Sequence, residues 1–445
     1  MRRLVIWVLM CLVAGVSVET VVDAQDEVIP FGTPDAMPLV DEGDFDIRHI
    51  LLMGSAVGEY SGHVGLTDTI MLVSINADMG HVAVLSIPRD FYVHVPEMGN
   101  YKINQVYWSA ERAETGSGIE TLYETVLYNF GVEIDYHAIV NFDSFPALIN
   151  SVGGIWITVD CAIRDWRLIE PDRDPDIEEN WEMHTVWGGL HHFDGHEALW
   201  YVRSRRTSSD LDRNRRQQDV MRALWRTIRN EGLLENFPSL WEQFNAVVDT
   251  NMTLGDALEL LPVAQDLSAA EVDYFALEIY EHMLQGRTEG EDRRFALFPI
   301  RENMITLMQQ MVMPATHSRL ISTLPTVAIY NGSGLRNMDY VAAHRLEREG
   351  FQTIVTGEYV PPRTWNLIID HAGIVRNNPV TTLQDVLRIT DGGVRYEPDP
   401  NREYDYELYL GEMYQYNSCT YPVFQPDYEP EATETPPIAV SDEGE

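Results

Sequence analysis

The stretch IRHILLMGSAVGEYSGHVGLTDTIMLVSINADMGHVAVLSIP spans Ile47 to Pro88 and holds three apolar runs of strand length, Ile47–Gly54, Thr69–Asn76 and Val82–Pro88. Gly, Asn and Asp punctuate them, as turns require, so each reads as a buried strand. Downstream, Ile119–Phe130 repeats its apolar residues with helical period. Tyr136–Phe142 and Ile155–Asp160 read as further strands, with the pair Gly153-Gly154 turning the chain before the second. Strands that alternate with helices predict an α/β sheet covered on both faces, an α/β/α sandwich. Cys161–Trp187 is acidic, aromatic and aperiodic, and is expected to be a long loop, in the place of a lid.

The densest positive charge lies in ALWYVRSRRTSSDLDRNRRQQ, from Ala198 to Gln218. Arg203 and Arg205 are two apart, which puts them on one side of extended chain but not of a helix. The helix is therefore expected to end near Arg203. Ser208, Ser209 and Asp210 are N-cap types for the next helix, on which Asp210, Arg213 and Gln217 fall on one face. Forked guanidinium donors beside a helix N-terminus suit a phosphate or pyrophosphate. A solvated Arg-rich helix with local ion pairs is the alternative.

The formal charge of −39 over 445 residues argues against nucleic acid as a partner, since its phosphates would be repelled. A hydrophobic content of 45% permits sizeable cores. Lys102 is the single lysine of the chain. Residues 1–24 combine Arg2 and Arg3 with an apolar run from Leu4 to Val18, an export signal or an N-terminal anchor. Either places the rest outside the cytoplasm, at the outer face of the membrane or the cell wall. Cys161 and Cys419 follow Cys11 and are too few for a disulfide framework. His191, His192, Asp194, His196 and Glu197 crowd together like a metal site, but Asp194 before a helical pattern reads better as a cap.

Taken together, HILLMGSA, GLTDTIMLVSI, VAVLSIPRDFYVHVP, YKINQVY, IDYHAIVNFDSFPALINSVGGIWITV, GGLHHFDGHEALWYVRSR and DLDRNRRQQ, in that order, resemble the LytR-CpsA-Psr family. The likeness implies a mixed-sheet α/β/α fold around an apolar lipid tunnel. It also implies an envelope enzyme that moves a glycopolymer from a polyprenyl-pyrophosphate carrier to peptidoglycan. On the resemblance, Arg89, Asp90, Arg203, Arg205, Asp210 and Arg213 are catalytic, Lys102 and Gln217 bind substrate, and Asp68 holds Mg2+. Hydrolysis of the pyrophosphate is the implied side reaction. Two positions depart from the family pattern: Ala56 stands where many members carry aspartate, and Leu66 where they carry arginine. They keep a non-catalytic lipid-binding or scaffolding role open; a transcriptional attenuator fits less well with an export signal and an acidic surface. Trp156, Trp200 and Trp225 are candidates to line the tunnel or simply to fill the core.

The domain plan is therefore a linker over 25–45, a catalytic domain over 46–313 with its core at 46–231, and a linker over 314–325. A second domain over 326–412 and an acidic, disordered tail over 413–445 complete it. The second domain has two β-α-β patterns, suggesting a small ferredoxin-like module, and VAIYNGSGLRNMDYVAAHRLEREGF resembles the C-terminal domain found in some family members. Asn331-Gly332-Ser333-Gly334 reads as a capped turn rather than an anion loop.

Overall fold

The computed structural model describes residues 27–55, 65–174, 177–206, 210–267, 272–313, 324–358, 360–373 and 379–414. The expectations for residues 1–24, for Ala56, for Ser208 and Ser209, and for the tail beyond 414 lie outside them, as does most of the 314–325 linker.

The chain begins its first domain with β1 (Ile47–Ser55), β2 (Thr67–Asn76) and β3 (His81–Ile87), followed by the hairpin of β4 (Tyr92–Val95) and β5 (Gly99–Lys102). Then come α1 (Ile103–Ala113), α2 (Gly118–Phe130), β6 (Tyr136–Asn141), α3 (Phe145–Ser151) and β7 (Ile155–Val159). β8 (Ile163–Leu168), β9 (Trp181–Val186), β10 (Gly189–Phe193), α4 (Gly195–Arg203) and α5 (Asp210–Asn230) follow. The domain closes with α6 (Phe237–Asn245), β11 (Asp249–Thr250), α7 (Leu254–Asp266), β12 (Val272–Ala276), β13 (Met283–Arg287), β14 (Phe295–Pro299) and α8 (Arg301–Val312).

Six strands form the central sheet in the order β11-β6-β1-β2-β3-β12. The β1–β2 and β2–β3 pairs are antiparallel, and β1–β6 and β3–β12 are parallel, so the sheet is mixed. Ile70 to Ser74 and all of β3 are buried, because helices cover both faces. One face packs tightly: Leu51, Ile70, Leu72 and Leu85 meet Ile103 of α1, Leu122 and Val126 of α2, and Met308 of α8, each at most 2% exposed. The other face is looser. There Ile50, Leu52 and Ile75 are only half-buried against Trp225 of α5, Phe244 of α6 and Val263 of α7.

Two expectations are corrected. Residues 163–186 are not a bare loop: β8 and β9 pair antiparallel from Ile163↔Val186 to Leu168↔Trp181. Their side chains mix charged, aromatic and apolar groups without a regular order and stay mostly half-exposed, so no apolar periodicity marks them. Described residues of the 25–45 segment are no free linker either. Met37 donates its N–H to the Tyr128 carbonyl and is buried in the core, and Phe31 packs on Tyr92 and Phe298. Gly131 ends α2 in the left-handed region (φ +71°) with the Pro38 carbonyl so close that a Cβ would sit 2.1 Å from it, so only glycine fits this crossing.

The second domain runs β15 (Thr326–Asn331), α9 (Met338–Arg348), β16 (Gln352–Val355), β17 (Leu367–Asp370), α10 (Val380–Leu387), β18 (Val394–Tyr396) and β19 (Tyr406–Leu410). The sheet order is β16-β15-β19-β17-β18. Both β-α-β units are present, but each keeps its two strands adjacent and parallel, with β19 inserted between the units. A ferredoxin-like sheet would split each unit with a neighbour instead. Asn331 Oδ1 accepts hydrogen bonds from the N–H and hydroxyl of Ser333, the turn expected there. Among the described residues no helix is long and apolar enough to cross a membrane.

Candidate anion site

Pro88-Arg89-Asp90 leaves the end of β3 and is held by its backbone. The N–H groups of Ile103 and Asn104 donate to the carbonyls of Phe91 and Arg89 at 2.8 and 3.3 Å, and Leu297 N–H donates to the Asp90 carbonyl at 2.9 Å. The β4–β5 hairpin then returns Lys102, which precedes α1, to the same corner. Lys102 Nζ lies 2.6 Å from Asp90 Oδ1, and Arg89 bridges two carboxylates: Nη1 donates to Asp68 Oδ1 at 3.3 Å while Nε is 3.5 Å from Asp90 Oδ2. These four side chains are 14–28% exposed. Asp68, Arg89, Asp90 and Lys102 thus form one half-open ionic cluster.

Arg203 comes from a separate element. Its helix, α4, starts at a capping box in which Asp194 Oδ1 accepts from the N–H groups of His196 and Glu197, and Glu197 answers to the Asp194 N–H. The crowded histidines are accounted for: His191 bonds the Trp187 carbonyl and His192 packs on Trp156. The helix ends at Arg203, whose guanidinium lies 4.4 Å over the Phe142 ring. Solvent reaches Arg203, yet surrounding protein lowers its pKa, with the charge of Asp68 acting in the other direction.

Three side chains not foreseen in the sequence fix the arginines. Asp165 of β8 accepts the N–H groups of Arg205 and Arg206 on Oδ2, at 2.8 and 3.2 Å. Arg216 of α5 is buried beneath α4, donating from Nε to the Tyr201 carbonyl at 2.9 Å and from Nη2 to the Ser204 carbonyl. It thereby satisfies carbonyls that a helix end leaves without partners; burial lowers its pKa against nearby negative charge. Gln218 joins α5 to the sheet, donating to Ser86 Oγ at 2.9 Å and to the Phe275 carbonyl at 3.0 Å. A cavity between α5, β3 and β12, lined by Ser86, Pro88, Asn214 and Gln218 among others, opens beside this anchor.

Of the remaining expected residues, Arg213 (4% exposed) and Gln217 (8%) are buried on α5, and the Arg205 side chain is exposed. The Asp210 side chain lies outside the described residues. Trp200 Nε1 donates to the Trp166 carbonyl and Trp225 packs against the looser sheet face; neither they nor Trp156 line the cavity beside Pro88. Among the described residues no group of three or more His, Cys, Asp or Glu could hold a metal by itself. Asp68 is engaged by Arg89 through Oδ1, which leaves Oδ2 for a cation completed by substrate oxygens and water, the mode magnesium commonly adopts. Cys161, at the end of β7, is disulfide-bonded, a bond not anticipated from the cysteine count.

A model of the LytR_cpsA_psr family matches residues 30–296, more than half of the 445. The polyisoprenyl-teichoic acid--peptidoglycan teichoic acid transferase TagT of Bacillus subtilis is 28% identical over 231 residues, covering 51% of this chain and 66% of TagT. A probable cell wall biosynthesis protein, LcpB of Corynebacterium glutamicum, is 36% identical over 174 residues, or 39% of this chain and 37% of LcpB. The crystal structure of B. subtilis TagV covers 62% of this chain and 100% of that chain with 23% identity and a TM-score of 0.49. The chain therefore spans between about a third and two thirds of the length of these two curated relatives.

Proposed function

We propose, from the premise that this chain belongs to the LytR_cpsA_psr family, that it transfers a glycopolymer from a polyprenyl-pyrophosphate carrier to peptidoglycan by phosphoryl transfer. The observation that carries the reading is the half-open cluster of Asp68, Arg89, Asp90 and Lys102, with Arg203 near enough to feel the charge of Asp68. Phosphoryl transfer asks a protein mainly to hold the pyrophosphate in line with the acceptor and to neutralise charge as it develops. Arg89, Lys102, Arg203, Arg205 and Arg213 supply that charge; Gln217 adds a neutral donor.

In the reaction an acceptor hydroxyl oxygen bonds to the glycopolymer-bearing phosphorus as the bridging P–O bond breaks. Polyprenyl phosphate leaves with the bonding electrons, and the hydroxyl proton passes to solvent. Asp90 holds Lys102 toward the departing phosphate, and Asp165 and Arg216 keep the arginine loop in place. Mg2+, held through Asp68, would neutralise the pyrophosphate further. Water in place of the acceptor gives pyrophosphate hydrolysis as a side activity. The half-buried Ile50, Leu52 and Ile75 beneath α5, α6 and α7 offer an apolar face for the polyprenyl chain. We assign the chain to the outer face of the membrane, exported or anchored by residues 1–24, and its second domain to the LytR C-terminal type.

The test is mass spectrometry of solvent extracts from the purified full chain, before and after incubation with a polyprenyl pyrophosphate. The parent is expected to retain the lipid, and the Arg203→Ala/Arg205→Ala variant to lose it. Equal retention by both, or none by either, would overturn the reading.

A further inference from the structure

The two domains meet at a buried ionic junction. α9 of the second domain lies across β7 and β10 of the first, with His344 7% exposed at its side chain. Both ring nitrogens face carboxylates of the first domain: Nδ1 is 3.0 Å from Asp160 Oδ1, and Nε2 is 3.0 Å from Asp219 Oδ1. A neutral imidazole donates from one nitrogen only. The imidazolium alone can donate to both.

The other charged groups around His344 reinforce that state. Arg348 Nη1 is 3.2 Å from Asp160 Oδ2, and Arg345 Nη2 donates to the Asp160 carbonyl at 2.9 Å. Arg222 of α5 is 4.0 Å from Asp219 and lies over the Tyr274 ring at 3.7 Å. The phenols of Tyr201 and Tyr414 flank the junction and are kept neutral, burial pushing both pKa values up. Burial works against a charge on His344, but Asp219 and Asp160 outweigh it and raise the pKa to about 9. Burial likewise opposes the charge on Asp160 and Asp219, and His344 outweighs it, holding both below the usual carboxylate range.

Asp219 belongs to the same helix as Arg213 and Gln217. From Arg213 to Asp219, all but Arg215 are buried, and the ties of this buried stretch include Arg216 to α4, Gln218 to the sheet, and Asp219 to His344 of the other domain. The first two ties are internal to the first domain. The third is not.

We propose that His344 is a positioning residue for the anion site: protonated and clamped between Asp160 and Asp219, it makes the second domain a brace that fixes α5. The bracing of a site rests on the phosphate-holding reading of α5; the clamp itself does not.

The proton couples the brace to pH. A raised pKa gives a stabilisation fully present below the ordinary histidine value near 6.5 and lost as pH rises through about 9. The depressed aspartates give one that is present above the ordinary carboxylate value and lost only in strong acid. The brace therefore holds at neutral pH and releases in alkali.

Two measurements on the full chain test this. Nitrogen-15 NMR of histidine-labelled protein at pH 8, with His344 assigned by its absence in His344→Gln, is expected to show both ring nitrogens protonated; a neutral ring there would overturn the proposal. Hydrogen exchange at pH 7 is expected to quicken about tenfold or more over residues 213–219 as well as in α9 when His344→Gln replaces the parent, while β1–β3 stay protected. Faster exchange in α9 with α5 unchanged would mean plain docking and would sink the brace. In the parent, raising the pH through about 9 should add a further loss of protection in α5 that His344→Gln lacks; parallel profiles would count against it. Binding of a polyprenyl pyrophosphate should weaken in His344→Gln. If the parent binds none, the site reading has failed, and the exchange result still decides the brace.

Discussion

The site cluster and the junction cluster each set two aspartates among basic groups, and they differ in how much water reaches them. Asp68, Arg89, Asp90 and Lys102 are 14–28% exposed, with the nearest charged contacts between 2.6 and 3.5 Å. At the junction the water is shut out on one side, His344 and Asp219 being 7% and 9% exposed, while Asp160 at its rim keeps 28%. A half-open pair costs little to separate, because water replaces each partner. A buried one leaves a charge stranded in low dielectric. On the proposed function, the first arrangement suits cations that exchange a carboxylate for a phosphate, and the second suits a joint that should not move.

The sharpest way to break this contrast is to remove the clamp. His344→Ala leaves Asp160 and Asp219 facing one another, and removing one partner of a buried pair costs about 3–5 kcal/mol. Urea unfolding at pH 7 should show a loss of that order. At pH 10 the gap between parent and variant should shrink, since the parent has by then given up the proton held to about 9. A gap that stays constant with pH would mean that His344 acts through packing alone.

Arg89→Ala probes the other cluster, and the expected loss moves from stability to activity. Removing a cation that stabilises developing charge should reduce transfer about 10²–10³-fold, roughly 2.7–4 kcal/mol. Urea unfolding should shift by no more than about 1 kcal/mol, because Asp68 and Asp90 remain reachable by water. A large loss of stability with intact transfer would reverse the roles given to the two clusters.

Asp165→Ala tests the support of the arginine loop. It deprives the Arg205 and Arg206 N–H groups of their acceptor, a net loss of about 0.5–1.5 kcal/mol since water can reach both groups. The exposed Arg205 side chain remains, so transfer should fall through a poorly ordered loop, with Asp165→Asn, which keeps an acceptor oxygen, recovering part of it. No difference between the two variants would show that the loop is held otherwise.

How much of this was legible in the sequence follows the range of each interaction. β1, β2 and β3 announce themselves because their apolar runs are local. The end of α4 at Arg203 is written in the spacing of Arg203 and Arg205, and the Asp194 cap in three adjacent positions. Asp165 stands 40 residues from the N–H group it accepts, and Asp219 stands 125 from His344; nothing near either marks the partner. Arg216 sits among three other arginines between Arg205 and Arg222, and only the packing of α5 under α4 separates a buried cap from a solvated charge. The β8–β9 hairpin was hidden for a related reason, since its half-exposed faces carry no alternation of apolar and polar residues.

The smallest expected effect discriminates most finely between the clusters. Lys102→Gln removes one charge from Asp90, which keeps Arg89 at 3.5 Å, so urea unfolding should change by at most about 1 kcal/mol. Affinity for a polyprenyl pyrophosphate should nevertheless drop. Because the lost contribution is that of a compact, water-accessible point charge, the difference between parent and variant should narrow as salt screens it. A salt-independent difference would mean that Lys102 is desolvated when the lipid binds. A destabilisation as large as that of His344→Ala would mean that the site cluster is itself a structural joint, and the distinction drawn from its exposure would fall.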